Sequence, residues 1–291
     1  MQGLLTLSDG RTLEWADNGI DSTQALVFHN GTTCGLTVWN AWLEQAAKSG
    51  VRAIALNRPG VGASTRKPGR RITDDVNDVR ELIEQLGITK FVSVGWSGGG
   101  ARALGTTKIS GCVAVHAIAG IPQADFDNEL WNSTVTPERL ARIELGRTDP
   151  EAMLKLRSST YEEERDMTSE AVLSFLEKDM PNYKNFEADY KVLAEDFAKS
   201  IRDALAQGPE ADTDDFLANV NEWGFEISEI THPVTLWHGD LDDDVEFRYG
   251  EYNHSRISGS TLIRLEGLGH LDIIVEPRER ILSSAIASLR R

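Results

Sequence analysis

The sequence is short of cysteine, of long apolar runs and of positive charge. Its two cysteines, Cys34 and Cys112, stand apart and outside any C-x-x-C pattern. We therefore expect a reducing, cytoplasmic compartment, no disulfide framework and no metal site. No apolar stretch approaches the roughly 18 residues that cross a membrane, so we expect no membrane span. The first residues also lack the basic and apolar regions of a signal peptide.

Negative charge is abundant and concentrated in one segment. Residues 121–230 hold 26 Asp and Glu against 11 Lys and Arg, whereas the rest of the chain holds 20 against 19. The net charge of −16 argues against a nucleic-acid partner. The uneven distribution indicates that residues 121–230 are a module of different composition.

The apolar runs that precede this segment predict an α/β fold. Asp9-Gly10 lies between two short apolar runs and predicts an opening hairpin. Predicted strands at 51–56, 91–94 and 111–119 then alternate with predicted helices. This alternation indicates a mostly parallel sheet that is covered by helices on both faces.

The pattern changes to helices after residue 120 and returns to strands near residue 233. The predicted helices of this stretch are 137–145, 150–165, 169–179, 188–206 and 213–223. A strand at 233–238 then resumes the sheet, and a helix closes the chain. We therefore predict an α/β core formed by residues 1–120 and 231–291, with an inserted helical segment at 121–230.

Residues Gly95-Trp96-Ser97-Gly98-Gly99 carry the strongest functional signal. They directly follow an apolar run and precede small residues that suit a helix. A serine between a strand and a helix, with glycine on both sides, is the arrangement of a nucleophile elbow. The glycines are needed because this turn is strained and its backbone approaches other segments closely. We predict that Ser97 is a nucleophile.

Two later loops supply the partners that such a serine needs. Acyl transfer to serine requires a base and an acid that orients the base. Gly267-Leu268-Gly269-His270 follows one predicted strand, so His270 is the expected base. The loop after the preceding strand carries a cluster of aspartates in residues 240–244, one of which is the expected acid. No cofactor is implied by this chemistry.

These motifs resemble the α/β-hydrolase superfamily, and the resemblance extends over nearly the whole chain. Residues 29–33 resemble the oxyanion loop of that superfamily, and residues 58–64 resemble its Arg-Pro-Gly-x-Gly-x-Ser loop. The resemblance implies a mostly parallel eight-stranded sheet flanked by helices. It also implies that residues 121–230 are an all-helical cap over the active site.

The same resemblance selects one aspartate from the cluster. Residues 239–245 resemble the pattern Gly-x-x-Asp-x-x-Val, which places the catalytic acid at Asp242. Asp240 and Asp243 remain as alternatives. A catalytic triad of Ser97, Asp242 and His270 is therefore expected.

The reaction also needs two backbone N–H groups that bind the developing oxyanion. One should belong to Gly98, which directly follows the nucleophile at the start of a helix. The other should come from the loop after Phe28-His29, and Thr32 is our first choice. Asn30 and Thr33 are alternatives.

Substrate contacts are predicted from residues near the nucleophile and from the helical segment. We expect Trp96, Gly31, Trp131 and Tyr161 to contact the substrate. The wider set of aromatic candidates for an apolar pocket is Phe126, Trp131, Tyr161, Phe175, Tyr183, Phe186, Tyr190, Phe197, Phe216 and Trp223.

The predicted function is a serine hydrolase that cleaves small or medium carboxylic esters through an acyl-enzyme. Related dehalogenases and epoxide hydrolases use aspartate at the elbow, so Ser97 argues against both. Prolyl-type aminopeptidase is an alternative, because an acidic cap could hold an α-amino group. The triad is equally compatible with lactonase, C–C hydrolase and cofactor-free haloperoxidase or perhydrolase activities. The expected partner is thus a small-molecule ester or amide.

Overall fold

The computed structural model describes residues 1–125 and 129–291, and only the backbone of Leu130 and Asn132. One sheet contains the strands β1 (Gln2–Thr6), β2 (Thr12–Asp17), β3 (Gln24–His29), β4 (Arg52–Leu56), β5 (Lys90–Trp96), β6 (Cys112–Ile118), β7 (Val234–Gly239) and β8 (Thr261–Leu265). Their order is β1-β2-β4-β3-β5-β6-β7-β8. β2 is antiparallel to β1 and β4, and the other neighbours are parallel. The predicted eight-stranded, mostly parallel sheet is confirmed.

Helices connect the strands and close the chain. Those outside the inserted segment are α1 (Asn40–Lys48), α2 (Ile72–Gln85), α3 (Gly98–Gly105), α11 (Phe247–Arg256), α12 (Asp272–Val275) and α13 (Arg278–Arg290). Those between β6 and β7 are α4 (Glu129–Thr134), α5 (Pro137–Thr148), α6 (Pro150–Ser158), α7 (Tyr161–Arg165), α8 (Ser169–Asp179), α9 (Glu187–Leu205) and α10 (Pro209–Val220). In the described part of residues 121–230 there is no strand.

The central strands are apolar because both of their faces are covered. In β3, Leu26 and Phe28 belong to one hydrophobic cluster, whereas Ala25 and Val27 belong to a second cluster on the other face. The edge strand β1 instead alternates exposed and half-buried residues. The sheet therefore separates two cores, as expected for a parallel sheet between helical layers.

Several helices of the inserted segment differ from the sequence-based prediction: α4 is an additional helix, α5 continues to Thr148, and two further differences have a local cause. The helix expected at 150–165 is divided into α6 and α7. The Ser158 and Ser159 hydroxyls at this break donate to the carbonyls of Leu154 and Leu156, a local bond that competes with continued helix. The last helix of the segment begins at Pro209 rather than at residue 213, because Gly208 with φ of 94° precedes a proline suited to a first helical turn.

Candidate active site

Ser97 lies on a tight turn between β5 and α3. Its φ of 54° and ψ of −124° are unusual for a residue with a side chain. A Cβ at Gly95 would lie 2.2 Å from the Gly99 carbonyl oxygen, and one at Gly99 would lie 2.0 Å from the His29 carbonyl oxygen. Glycine is therefore required on both sides of the serine. The turn holds Ser97 partly exposed at the carboxyl edge of the sheet.

Asp242 and His270 meet at the same edge, on the loops after β7 and β8. His270 Nδ1 lies 2.7 Å from Asp242 Oδ2. The other carboxylate oxygen, Oδ1, accepts from the backbone N–H groups of Asp244 at 3.0 Å and Val245 at 2.7 Å. Because the buried carboxylate accepts at Nδ1, a neutral imidazole carries its proton there and keeps Nε2 as a base.

The two alternative aspartates have other surroundings. The Asp240 carboxylate accepts from Arg264 Nη2 at 3.0 Å and from the Gly267 N–H at 2.7 Å. Asp243 is exposed and lines a cavity. Of the three aspartates proposed from the sequence, Asp242 is the one that contacts the imidazole.

Ser97 and His270 line one cavity of about 720 Å³. Trp96 Nε1 donates to the His270 carbonyl at 3.1 Å, and the centres of the two rings are 5.0 Å apart. Within the described residues, Ser97 Oγ makes no hydrogen bond with the His270 ring. Such catalytic hydrogen bonds are often long without substrate and shorten when it binds.

The loop after β3 lies against the elbow. A Cβ at Gly31 would lie 2.9 Å from the Trp96 ring and 3.3 Å from Ser97 Cβ. A Cβ at Gly98 would lie 2.3 Å from Thr32 Oγ1 and 3.3 Å from the Thr32 backbone nitrogen. Gly31 therefore lies beside Ser97 and Thr32 lies beside Gly98, where the sequence predicts the oxyanion hole.

The neighbouring loop residues make other contacts. Asn30 is buried, and its Nδ2 donates to the Cys34 carbonyl at 2.8 Å. Thr33 has a φ of 56°, and its hydroxyl donates to Asp212 Oδ1 at 2.8 Å. Both side chains are therefore engaged in holding the loop.

A buried ionic cluster stands behind this loop. The carboxylate of Asp215, on α10, accepts from Arg58 at 2.9 and 2.7 Å, from Arg70 at 2.5 Å and from Arg102 at 3.0 Å. Asp75 adds a second carboxylate, which accepts from Arg70 and Arg102. Burial alone would raise the pKa of Asp215, but Arg58, Arg102 and Arg70 hold it well below its usual range. The cluster thus contains three cations and two anions.

Two arginines of this cluster reach the two segments expected to form the oxyanion hole, Arg58 the loop after β3 and Arg102 the start of α3. Arg58 donates to the carbonyl of Asn30 and, at 2.8 Å, to that of Gly31. The Gly31 carbonyl belongs to the same peptide group as the Thr32 N–H, so this bond fixes its orientation. Arg102 Nη1 donates to the Gly98 carbonyl at 2.9 Å.

The two histidines that precede these loops are buried and bonded within the protein. Burial lowers the pKa of His29 to about 3, and its Nε2 lies 3.0 Å from Ser93 Oγ. Burial also lowers the pKa of His238, whose Nε2 donates to the Val245 carbonyl at 2.5 Å. Neither lines the cavity.

The predicted substrate-contacting residues are only partly brought together. Trp96 and Trp131 line the cavity, as do Phe197 and Phe216. Gly31 contacts the elbow but does not line the cavity, and Tyr161 lies outside it and donates to the Leu205 carbonyl at 3.1 Å. The other aromatic candidates outside the lining are Phe175, Tyr183, Phe186, Tyr190 and Trp223. Phe126 falls outside the described residues.

Sequence analysis missed the basic side chains of the cavity, Arg139, Arg142 and Arg157. Arg139 and Arg142 are three residues apart on α5, which places them on one face of the helix. This spacing of Arg139 and Arg142 is visible in the sequence, but the segment around them is so acidic that a basic cavity lining was not predicted.

Two general features of the described chain complete the site. No helix among the described residues is both long and apolar enough to cross a membrane. The described residues also contain no group of three or more His, Cys, Asp and Glu side chains placed to hold a metal ion.

Comparison with known proteins identifies related chains. The model of the alpha/beta hydrolase family matches residues 26–283. A bifunctional esterase/perhydrolase from Acinetobacter calcoaceticus is 32% identical over 101 residues. That match covers 34% of this chain and 37% of the relative, so the matched region spans little more than a third of either protein.

Solved structures with similar folds cover the whole chain. An esterase from Exiguobacterium antarcticum has a TM-score of 0.67 at 20% identity and covers 100% of both chains. An enol-lactonase from Burkholderia xenovorans has a TM-score of 0.68 at 16% identity and covers 99% of this chain and 100% of its own. A bromoperoxidase from Bacillus anthracis has a TM-score of 0.67 at 17% identity, covering 100% and 99%. At these identities the likeness concerns the fold.

Proposed function

The chain belongs to the alpha/beta hydrolase family, and from that premise we propose that it is a serine hydrolase of small or medium carboxylic esters. The observation that carries the proposal is the 2.7 Å contact between His270 and Asp242 beside a cavity that Ser97 also lines. A base oriented by a buried carboxylate next to a strained serine is what acyl transfer requires.

In the proposed reaction, His270 Nε2 takes the proton of Ser97 Oγ, which attacks the ester carbonyl carbon. The backbone N–H groups of Gly98 and Thr32 bind the oxyanion that forms. His270 then protonates the departing alcohol, which leaves an acyl-Ser97 intermediate. Water, deprotonated by His270, hydrolyses this intermediate and restores the serine.

We also propose that residues 121–230 act as a cap over a core made of residues 1–120 and 231–291. The cavity supports this assignment because Ser97 and His270 line it together with side chains from α5, α6 and α10. The position of the segment between β6 and β7 agrees with an insertion into the sheet domain.

The test is hydrolysis of p-nitrophenyl esters of increasing chain length by wild type and Ser97→Ala. We expect ester cleavage that falls by about 10⁴-fold or more in Ser97→Ala, because the triad acts as a unit. A matched control is Ser255→Ala, since the Ser255 hydroxyl bonds to the Tyr252 carbonyl and lies outside the cavity. Labelling by a fluorophosphonate should likewise require Ser97.

A prolyl p-nitroanilide in the same assay tests the aminopeptidase alternative. Preferred cleavage of the anilide over the esters would overturn the ester proposal. Cleavage of both substrate types that persists in Ser97→Ala would overturn the assigned nucleophile.

A further inference from the structure

Three arginines line the cavity that also contains Ser97 and His270. Arg139 and Arg142 lie on α5 and Arg157 lies on α6, all within the segment 121–230 that carries most of the negative charge of the chain. Cations therefore face the cavity from the most acidic part of the protein.

Two of these arginines have partners in the protein. Arg157 Nε lies 2.6 Å from Asp212 Oδ2, and its Nη2 donates to Thr33 Oγ1 at 3.1 Å. Arg139 donates to the carbonyl of Asp244, and its guanidinium lies 4.9 Å from the centre of the Tyr249 ring. Both guanidinium groups are held in place by these contacts.

Arg142 differs from the other two. Within the described residues it makes no ion pair and no side-chain hydrogen bond, and its guanidinium lies 5.8 Å from the centre of the Phe216 ring. Arg157 approaches the same ring at 5.3 Å. Arg142 remains open to solvent, and its partial desolvation, followed by the charges of Arg157 and Arg139, lowers its pKa. Arg142 is thus an exposed cation of the cavity lining that has no paired carboxylate among the described residues, and its charged neighbours include Arg139, Arg157 and Asp244.

Carboxylates also line the cavity, and within the described residues none of them pairs with Arg142. They are Glu138, Glu164, Asp243, Asp244 and Glu246. Glu246 is paired with Arg248 at 2.6 Å. Of the five, only Asp244 raises the pKa of Arg142, and its effect is smaller than that of either arginine.

We propose that the esters hydrolysed by this protein carry a carboxylate, and that the guanidinium of Arg142 binds it. The proposal rests on the ester-hydrolase function proposed above and names its substrate class. A carboxylate beside Arg142 would accept charge-assisted, bidentate hydrogen bonds and would relieve the repulsion from Arg139 and Arg157. Phe216, beneath the guanidinium, offers an apolar surface for the chain that joins the carboxylate to the ester.

The substrate test compares two esters that differ in one terminal group. They are p-nitrophenyl valerate and the mono-p-nitrophenyl ester of glutaric acid, which place a methyl and a carboxylate at the same distance from the ester. The spontaneous rate is subtracted for each. We expect wild type to favour the glutarate ester in kcat/KM, and Arg142→Gln to lose about tenfold on that ester alone, as for a lost charge-assisted bond.

The matched control is Arg165→Gln. Arg165 lies in the same helical segment, is paired with Asp166 at 3.1 Å and does not line the cavity. This variant should leave kcat/KM unchanged on both esters. Equal activity of wild type on both esters, or an equal loss on both in Arg142→Gln, would overturn the proposal while leaving the hydrolase function intact.

A binding measurement separates this proposal from the function on which it rests. Calorimetric titration of Ser97→Ala with free glutarate should show binding, and the double variant Ser97→Ala/Arg142→Gln should bind about tenfold more weakly. If neither ester is cleaved through Ser97, the hydrolase proposal fails and this titration still decides the role of Arg142. Undetectable glutarate binding together with no preference for the glutarate ester would refute the anion site.

Discussion

Two buried aspartates, Asp242 and Asp215, lie near the same cavity and have opposite surroundings. Asp242 accepts from two backbone N–H groups and from an imidazole that can gain or lose a proton. Asp215 accepts from three guanidinium groups that stay protonated. In the proposed reaction the same type of side chain therefore supports proton transfer in one place and fixed geometry in the other, and its neighbours decide which.

The largest expected effect concerns Asp242. Asp242→Asn keeps the shape of the side chain, but its amide can present an N–H to His270 Nδ1, which needs an acceptor there. The imidazole would then carry its proton on Nε2 and could not act as a base. We expect kcat for ester hydrolysis to fall by about 10⁴-fold, with a small change in the free energy of unfolding. Steady-state kinetics and urea denaturation measure the two quantities.

The control for this change is Asp240→Asn. Asp240 bonds to Arg264 instead of the imidazole, so its loss should leave kcat within about tenfold of wild type, as for a surface ion pair. A kcat that falls equally in both variants would remove the distinction between Asp242 and its neighbour.

A smaller effect, on stability, is expected at Asp215. Asp215→Asn leaves Arg58, Arg70 and Arg102 with Asp75 as the remaining carboxylate of the cluster. We expect the free energy of unfolding to fall by about 3–5 kcal/mol, the usual cost of an uncompensated buried charge. Because Arg58 also holds the Gly31 carbonyl, labelling of Ser97 by a fluorophosphonate should slow in the folded variant.

Asp78→Asn provides the comparison for Asp215. Asp78 pairs with Arg11 at 2.6 Å, and the Arg11 side chain is 12% exposed, so water can solvate the cation that remains. Its loss of stability should be smaller, and the labelling rate of Ser97 should not change. Equal losses in the two variants would mean that Asp215 has no special role.

The smallest expected effect concerns the pH dependence of stability at His29, which is buried near Arg58 and Arg102. Burial, followed by the charges of Arg58 and Arg102, lowers the pKa of His29 to about 3, whereas the unfolded chain protonates it near 6.5. This contribution to stability is present above pH 6.5 and is lost as the pH falls. Between pH 7 and pH 5 the free energy of unfolding should fall by about 2 kcal/mol because of His29.

His29→Gln should remove this part of the pH dependence, as measured by urea denaturation at pH 7 and pH 5. His232→Gln, just before β7 at the opposite edge of the sheet, is the control and should leave the dependence near that of wild type. The Asp215 ion pairs are not affected in this range, since their contribution is lost only below the usual aspartate pKa of about 4. An unchanged pH dependence in His29→Gln would contradict the assignment.

The sequence predicts those parts of the site that follow from short patterns. Ser97 directly follows β5 and His270 lies on the loop after β8, and parallel strands bring such loops to one edge of the sheet. The resemblance of residues 239–245 to a family motif predicts Asp242 as the acid, and Asp242 is the aspartate of its cluster that contacts His270. The sheet followed from the alternation of apolar runs.

Long-range contacts between charged residues were not predictable in the same way. Arg58 and Asp215 are 157 positions apart, and no local pattern joins them. Tyr161 was chosen because it is aromatic and lies in the helical segment, but its hydroxyl bonds to the backbone of α9 outside the cavity. Side-chain direction in a helical segment depends on packing between helices, which periodicity alone does not specify.

The Asp215 cluster also bears on how such a protein can diversify. The segment 121–230 joins two neighbouring parallel strands, so exchanging it for another would leave the sheet order and the loops of Ser97, Asp242 and His270 untouched. A transplanted segment would nevertheless have to bring a carboxylate to Arg58, Arg70 and Arg102, which reach Asp215 from outside the segment. One buried acid is thus a condition of compatibility between an inserted segment and the sheet that receives it.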